Sequence, residues 1–266
     1  MIKNLTSKLA VQMYTVRDFT RTSDDLKLSL QKIAAMGYPA VQMSAVGAMD
    51  GDSPQVCAAA ARQMLDDAGL RCIATHRGWD ALKDNTDREI EFHQTLGCDY
   101  TAIGSLPVSY GKEGASGYRR WAQEAAPVIA RLKDAGIRLG YHNHAFEFER
   151  PSPDQPTNFD LLAQAGGADL MMEIDLYWIA HAGANPQRVV EQLKGRLPVI
   201  HIKDKEVAGG EPVMAPIGEG LLDWANLLPA CEQAGVEWYA VEQDVCRRDP
   251  FDCLKSSFHY LKSLGA

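Results

Sequence analysis

The chain has 266 residues, 46% of them hydrophobic and 23% charged, the composition of a globular protein with enough length for one large core. Lys and Arg number 27 against 35 Asp and Glu, a formal charge of −8 with no basic run, so the charge pattern disfavours a nucleic-acid partner. No apolar run approaches about 18 residues, and six cysteines (Cys57, Cys72, Cys98, Cys231, Cys246, Cys253) lack C-x-x-C spacing, so no membrane span and a reducing, cytoplasmic setting are expected.

MIKNLTSKLAV carries no long apolar leader segment, and the first predicted strand is LAVQMYTV. A helical pattern over Asp24–Met36 ends at Gly37 and is followed by the strand YPAVQMS. The same unit then recurs along the chain. Ser53–Ala68 precedes LRCIATH, Asp87–Leu96 precedes CDYTAIGS, and Ser116–Ala135 precedes IRLGYHNH. Asn158–Ala165 precedes ADLMMEID, Asn185–Leu193 precedes LPVIHIKD, and Asp223–Ala234 precedes VEWYAVEQD, before a last helix over Asp249–Leu261. Glycine closes most of these helices because it reaches the left-handed conformation without a steric penalty. Ser53, Asn185 and Asp249 each stand before a proline, as helix N-caps do. PSPDQPT (Pro151–Thr157) and AGGEP (Ala208–Pro212) read as loops after the fifth and seventh strands.

Eight alternating β and α units with nearly continuous apolar strands imply a parallel sheet covered by helices. At this length the pattern predicts an α/β fold, a (β/α)8 TIM barrel forming a single domain over residues 1–266. An open doubly wound sheet competes, but YTVRDFTRTS after the first strand lacks its G-x-G-x-x-G turn.

In a barrel the C-terminal strand ends share one small volume at the mouth. They supply Gln12 and Tyr14, Gln42 and Ser44, His76, Gly104 and Ser105, His142 and His144, Glu173 and Asp175, His201 and Lys203, and Glu242 and Asp244. His142 and His144 are two apart, so a strand puts both on one face, about 6–7 Å apart. Four consecutive strands thus contribute an acid or an imidazole, where burial of unpaired charge would be costly. A divalent metal resolves that cost with a mixed oxygen and nitrogen shell; a ring of salt bridges around Lys203 is the competing arrangement. His76 is a candidate hydroxyl contact, whereas His93, His181 and His259 fall in or beside helices and are expected to be uninvolved.

VQMYTVRD, YHNHAFEF, MEIDLYWIAHAGANP, HIKD, PIGEGLLDW and VEQD, in this order, make the chain resemble the xylose isomerase-like TIM barrels, the sugar phosphate isomerases/epimerases. In ketose 3-epimerases of that family the metal is held by Glu, Asp, His and Glu from strands five to eight. The resemblance implies Asp175, His201 and Glu242 as ligands of one divalent ion (Mn, Mg, Co or Zn). The first Glu is replaced by His142, the first choice for the fourth ligand, with His144 or Glu147 as alternatives. It also places substrate contacts near Glu147 and Trp178, the latter standing where the family has a histidine in D-x-x-H.

The implied activity is a metal-dependent sugar or keto-sugar isomerase or epimerase acting by proton abstraction beside a metal-polarised carbonyl. Glu242 and His144 are candidate bases and Lys203 a fixed cation. The same residues would serve a lyase or dehydratase of a keto-sugar or inositol-type substrate. An apurinic endonuclease-like nuclease is less favoured, because PVMAPIGEG and Trp178 replace its extra ligands. A sugar-binding barrel without catalysis is the remaining rival. Glu219 in PIGEG could reach the mouth or merely close a turn, and apolar loops such as YWIAHAG suggest a homo-oligomer. No phosphate-binding loop or arginine cluster marks a phosphorylated substrate.

Overall fold

A computed structural model describes residues 4–152 and 154–265. Residues 1–3, Pro153 and Ala266 lie outside the described residues, so the expectations for the extreme N-terminus and for part of the Pro151–Thr157 loop are judged on the remainder.

The strands β1 (Leu9–Gln12), β2 (Ala40–Met43), β3 (Arg71–His76), β4 (Tyr100–Ile103), β5 (Arg138–His142), β6 (Met171–Glu173) and β7 (Val199–Ile202) run parallel. A hairpin of β8 (Asp204–Ala208) and β9 (Glu211–Ala215) follows β7, and β10 (Trp238–Val241) then inserts between β7 and β1. The eight-stranded order β6-β5-β4-β3-β2-β1-β10-β7 closes on itself through a parallel bridge between Asp175 and His201 and a 2.8 Å bond from His201 N to the Ile174 carbonyl. This is the expected single-domain α/β TIM barrel.

Around it pack α1 (Ser23–Met36), α2 (Ala58–Ala68), α3 (Trp79–Asp84), α4 (Thr86–Leu96), α5 (Val108–Gly111), α6 (Ala115–Asp134) and α7 (Asn158–Ala165), then α8 (Leu176–His181), α9 (Pro186–Gln192), α10 (Trp224–Ala234) and α11 (Pro250–Leu264). Asn185, Asp223 and Asp249 cap their helices through side-chain oxygens, and Gly37, Gly69, Gly97 and Gly235 end theirs in the left-handed region.

Three expectations fail at helix starts and loops. Ser53 is not a cap: α2 begins at Ala58 after Cys57, because the segment before it leaves helical geometry. AGGEP is not an irregular loop but the turn of the β8–β9 hairpin, with Gly209 and Gly210 at φ 61° and 86° between the paired Ala208 and Glu211. YWIAHAG is not an exposed loop either; it lies largely in α8, where Tyr177 and Ile179 are buried, and it gives the homo-oligomer expectation no support.

The barrel interior follows the two-residue period of a strand. Small side chains fill its waist, Ala10, Ala40, Ala74, Ala102 and Ala240, with Tyr100, Ile73 and Val199 below them. On β5 that interior position is Gly140, where a Cβ would lie 1.9 Å from the Tyr100 hydroxyl. Two residues further along each strand the interior turns polar, at Gln12, Gln42, His76, His142, His201 and Glu242, all buried except the half-buried His76. Among the described residues no helix is long and apolar enough to cross a membrane.

Candidate active site

The seam that closes the barrel also assembles the site. β6 ends at Glu173, and the bridge to β7 holds Asp175 beside His201. Asn143 Oδ1 accepts from Asp175 N at 3.0 Å, which ties this turn to β5. Asp175 Oδ1 caps α8 by accepting from Trp178 N at 3.0 Å, leaving Oδ2 to face Lys203 and His201.

Asp175 Oδ2, His201 Nδ1 and Glu242 converge, with His201 Nδ1 2.8 Å from Glu242 Oε2 and 4.0 Å from Asp175 Oδ2. These three side chains are buried, and apart from one another and the Lys203 ammonium these atoms have no polar partner among the described residues. The tautomer of His201 follows from its other side. Gln42 Nε2 donates to Glu173 Oε1 at 3.0 Å, so Gln42 Oε1 must accept from His201 Nε2–H at 2.8 Å. In neutral His201 the Nδ1 lone pair then faces a carboxylate oxygen, which is repulsive unless a proton or a metal ion lies between them. Such an arrangement, with the far imidazole nitrogen held by a hydrogen-bonding partner, is what metal-ligating histidines show. Mixed carboxylate and imidazole donors with these separations fit one divalent ion.

Lys203 Nζ is shared among three carboxylates, at 3.0 Å from Asp175 Oδ2, 2.8 Å from Glu242 Oε2 and 2.7 Å from Asp244 Oδ1. These three ion pairs are the salt-bridge ring around Lys203 that competes with a metal for the same carboxylates. Burial alone would lower the Lys203 ammonium, but the three carboxylates outweigh it and raise it, so the cation is permanent. Burial likewise opposes the charge on Glu242, yet Lys203 and then His201 hold its carboxyl well below the usual range. Asp244 is pushed up to about 6 by burial and the charge of Glu242. Burial lowers His144 to about 4 and holds His142 well below the ordinary imidazole value, so both imidazoles are neutral near pH 7.

His142 stands apart from the Asp175–His201–Glu242 group. It joins His76, Glu173 and His201 in a second cluster, with its Nδ1 3.7 Å from Glu173 Oε2. His76 hydrogen-bonds Glu173 through Nε2. His144 lies beyond the end of β5, its ring 4.9 Å from that of His142, stacked on Phe146 and 5.6 Å from Trp178. Trp178 also lies 5.7 Å from Lys203 Nζ. His76, His142, His144, Lys203, Glu242 and Asp244 line a cavity of about 340 Å³ at the barrel mouth, roomy enough for a small molecule.

Glu147 is not among the residues lining that cavity. It is buried behind the site, accepting from the Tyr141 hydroxyl at 2.8 Å and from His144 N at 2.8 Å, and burial pushes its carboxyl up to about 7. It therefore positions the turn that carries His144. Glu219 also points away, paired with Arg248 and Ser256. His93 is a buried structural residue between Thr75 Oγ1 and the Glu89 carbonyl. Sequence reasoning put Gln42 and Glu173 at the mouth without a role and left Asn143 out. All three occupy strand ends on β2, β5 and β6, which was the available signal.

These features define a class: an α/β barrel with acid and imidazole donors gathered at the C-terminal ends of its strands. The chain belongs to the xylose isomerase-like TIM barrel family, whose model matches residues 30–264. Among solved structures it is similar to a sugar phosphate isomerase/epimerase from Parabacteroides distasonis ATCC 8503, at 24% identity and a TM-score of 0.79, over 98% of this chain and 94% of that one. An L-ribulose 3-epimerase matches at 13% identity and a TM-score of 0.71, over 97% and 94% of the two chains. IOLI protein with a bound zinc atom matches at 14% identity and a TM-score of 0.64, over 97% and 98%. No curated protein matches the sequence significantly.

Proposed function

We propose that this chain is a metal-dependent isomerase or epimerase of a small carbohydrate, working by proton abstraction next to a polarised carbonyl. The observation that carries this reading is the convergence of Asp175 Oδ2, His201 Nδ1 and Glu242 Oε2, three buried donors from three adjoining staves. They would hold one divalent ion, Mn, Mg, Co or Zn, with His142 from β5 approaching on the Glu173 side. When bound, such an ion polarises a sugar carbonyl and acidifies the neighbouring C–H. The epimerase and isomerase neighbours, and the zinc in one of them, are consistent with this chemistry.

The chain's own groups supply the proton transfers. Glu242 is fully ionised near pH 7 and borders the cavity, so it can accept a proton from carbon. His144, neutral at the same pH, is the alternative base bordering the cavity, and whichever of the two groups takes the carbon proton returns it to the enediolate. Lys203 is a fixed cation that stabilises negative charge developing on an enediolate. Trp178 and Phe146 do not line the cavity but pack against His144, so Trp178 would reach a sugar ring only beside that imidazole. His76, at the cavity edge, is placed to contact a hydroxyl.

The substrate is an unphosphorylated sugar or keto-sugar. Arg77, Arg247 and Arg248 near the rim are paired with Glu89, Glu206 and Glu219, and Lys203 is surrounded by acids. The test is a screen of free, phosphorylated and 3-keto sugars with Mn(II) in deuterated water, following deuterium into the product. Free sugars should exchange, and Asp175→Ala or Glu242→Ala should reduce exchange by about 100-fold or more. Full exchange in either variant would remove the proposed site, and loss of water from the substrate in the same assay would mark a lyase.

A further inference from the structure

The cluster on the other side of His201 has its own unresolved chemistry. Glu173 is fully buried, and among the described residues no Lys or Arg reaches its carboxylate, in contrast to the acids gathered around Lys203. Oε1 is satisfied by Gln42. Oε2 faces three imidazole nitrogens: His76 Nε2 in hydrogen-bond contact, His201 Nε2 at 3.4 Å and His142 Nδ1 at 3.7 Å. Of these, His201 Nε2 is engaged with Gln42 Oε1. His142 Nδ1 has no hydrogen-bond partner among the described residues although its side chain is only 3% exposed. The His76 ring fits here because residue 104 is glycine: a Cβ there would come within 3.1 Å of His76 Nδ1.

We infer that His76 Nε2, His142 Nδ1 and Glu173 Oε2 form a second transition-metal seat, separate from the one made by Asp175, His201 and Glu242. The donor atoms lie within 4.8 Å of one another, a separation that small movements can close around one ion. Two imidazoles and one carboxylate favour Zn(II), Co(II) or Ni(II) over Mg(II). Three protein donors leave a coordination position for water or another oxygen ligand. The seat is reachable, because His76 and His142 both line the mouth cavity. The ion also provides the positive charge that Glu173 lacks.

The test is equilibrium dialysis of the full chain, stripped with chelator, against Zn(II) and Co(II). Metal is counted by mass spectrometry, and the visible absorption of the Co(II) form is recorded. Two equivalents per chain are expected. Glu173→Gln and His76→Asn should each remove one equivalent with its absorption band, and Asp175→Asn should remove the other. Far-UV circular dichroism and Tm monitor folding, and His76→Asn, at a partly exposed side chain, keeps the test alive if Glu173→Gln does not fold. One equivalent lost in Glu173→Gln but kept in Asp175→Asn supports this seat while overturning the proposed reaction site. A single equivalent lost only in Asp175→Asn, or two that survive both Glu173→Gln and His76→Asn, overturns the second seat.

Discussion

At the scale of single residues, side-chain direction separates the groups that face the mouth from those that support it. Acids and imidazoles on otherwise apolar strands stand out, and the two-residue period points them inward, which drew attention to the strand ends carrying Asp175, His201 and Glu242; the choice of these three as a ligand set came from the family resemblance. Gln42 was less legible: an amide at a strand end does not reveal that it fixes the tautomer of His201. Gln42→Leu should weaken divalent-metal affinity by about 10- to 100-fold while leaving the fold intact, measured by competition with a chromophoric chelator. Unchanged affinity would show that the 2.8 Å contact with His201 does not orient the ligand. The resemblance placed Glu147 near the substrate, but the chain leaves the strand after His142 and turns this side chain behind the site. Its carboxyl is raised from 4.5 to about 7 by burial, so the folded state holds the proton more tightly than the unfolded state. The associated stability is complete below pH 4.5 and is lost as pH rises through about 7. Glu147→Gln, which can still bond Tyr141 and His144, should abolish a loss of about 3 kcal/mol between pH 4.5 and pH 8 in urea unfolding. A variant with the same pH dependence as the parent would refute that assignment.

At the scale of elements, helix ends were readable where a cap or a glycine marks them, as at Asn185, Asp223 and Gly97. The hairpin of β8 and β9 was less readable. Its Gly209–Gly210 turn was visible, but Pro212 beside it suggested a loop rather than a paired strand. Its organising residue is Asp204, the aspartate of HIKD, whose two oxygens accept from the backbone N–H groups of Lys205, Gly218, Gly220 and Leu222 and from Trp224 Nε1. Gly220 is required for this approach, since a Cβ there would lie 2.2 Å from Asp204 Oδ1. HIKD and PIGEGLLDW, far apart in sequence, are therefore one structural unit. Asp204→Asn turns an amide N–H₂ toward several of those donors and should cost about 2–4 kcal/mol in denaturant unfolding. A cost below about 0.5 kcal/mol would show that the loop is held by other contacts.

At the scale of the whole molecule, the repeat of helix, glycine and apolar strand disclosed the barrel because each unit buries its strand only against its neighbours. The geometry of the closing seam was not legible, since β6 is three residues long and its bridge to β7 is made by Asp175 and His201. That seam nevertheless decides the chemistry, because it sets the separation of the donors that the two strands present. Diffraction from crystals grown with Mn(II), measured at the manganese absorption edge, tests this most directly. The account predicts an anomalous peak about 2.0–2.4 Å from Asp175 Oδ2, His201 Nδ1 and Glu242 Oε2 together. Saturating Mn(II) with no peak among those three atoms, and Lys203 alone bridging the carboxylates, would contradict it.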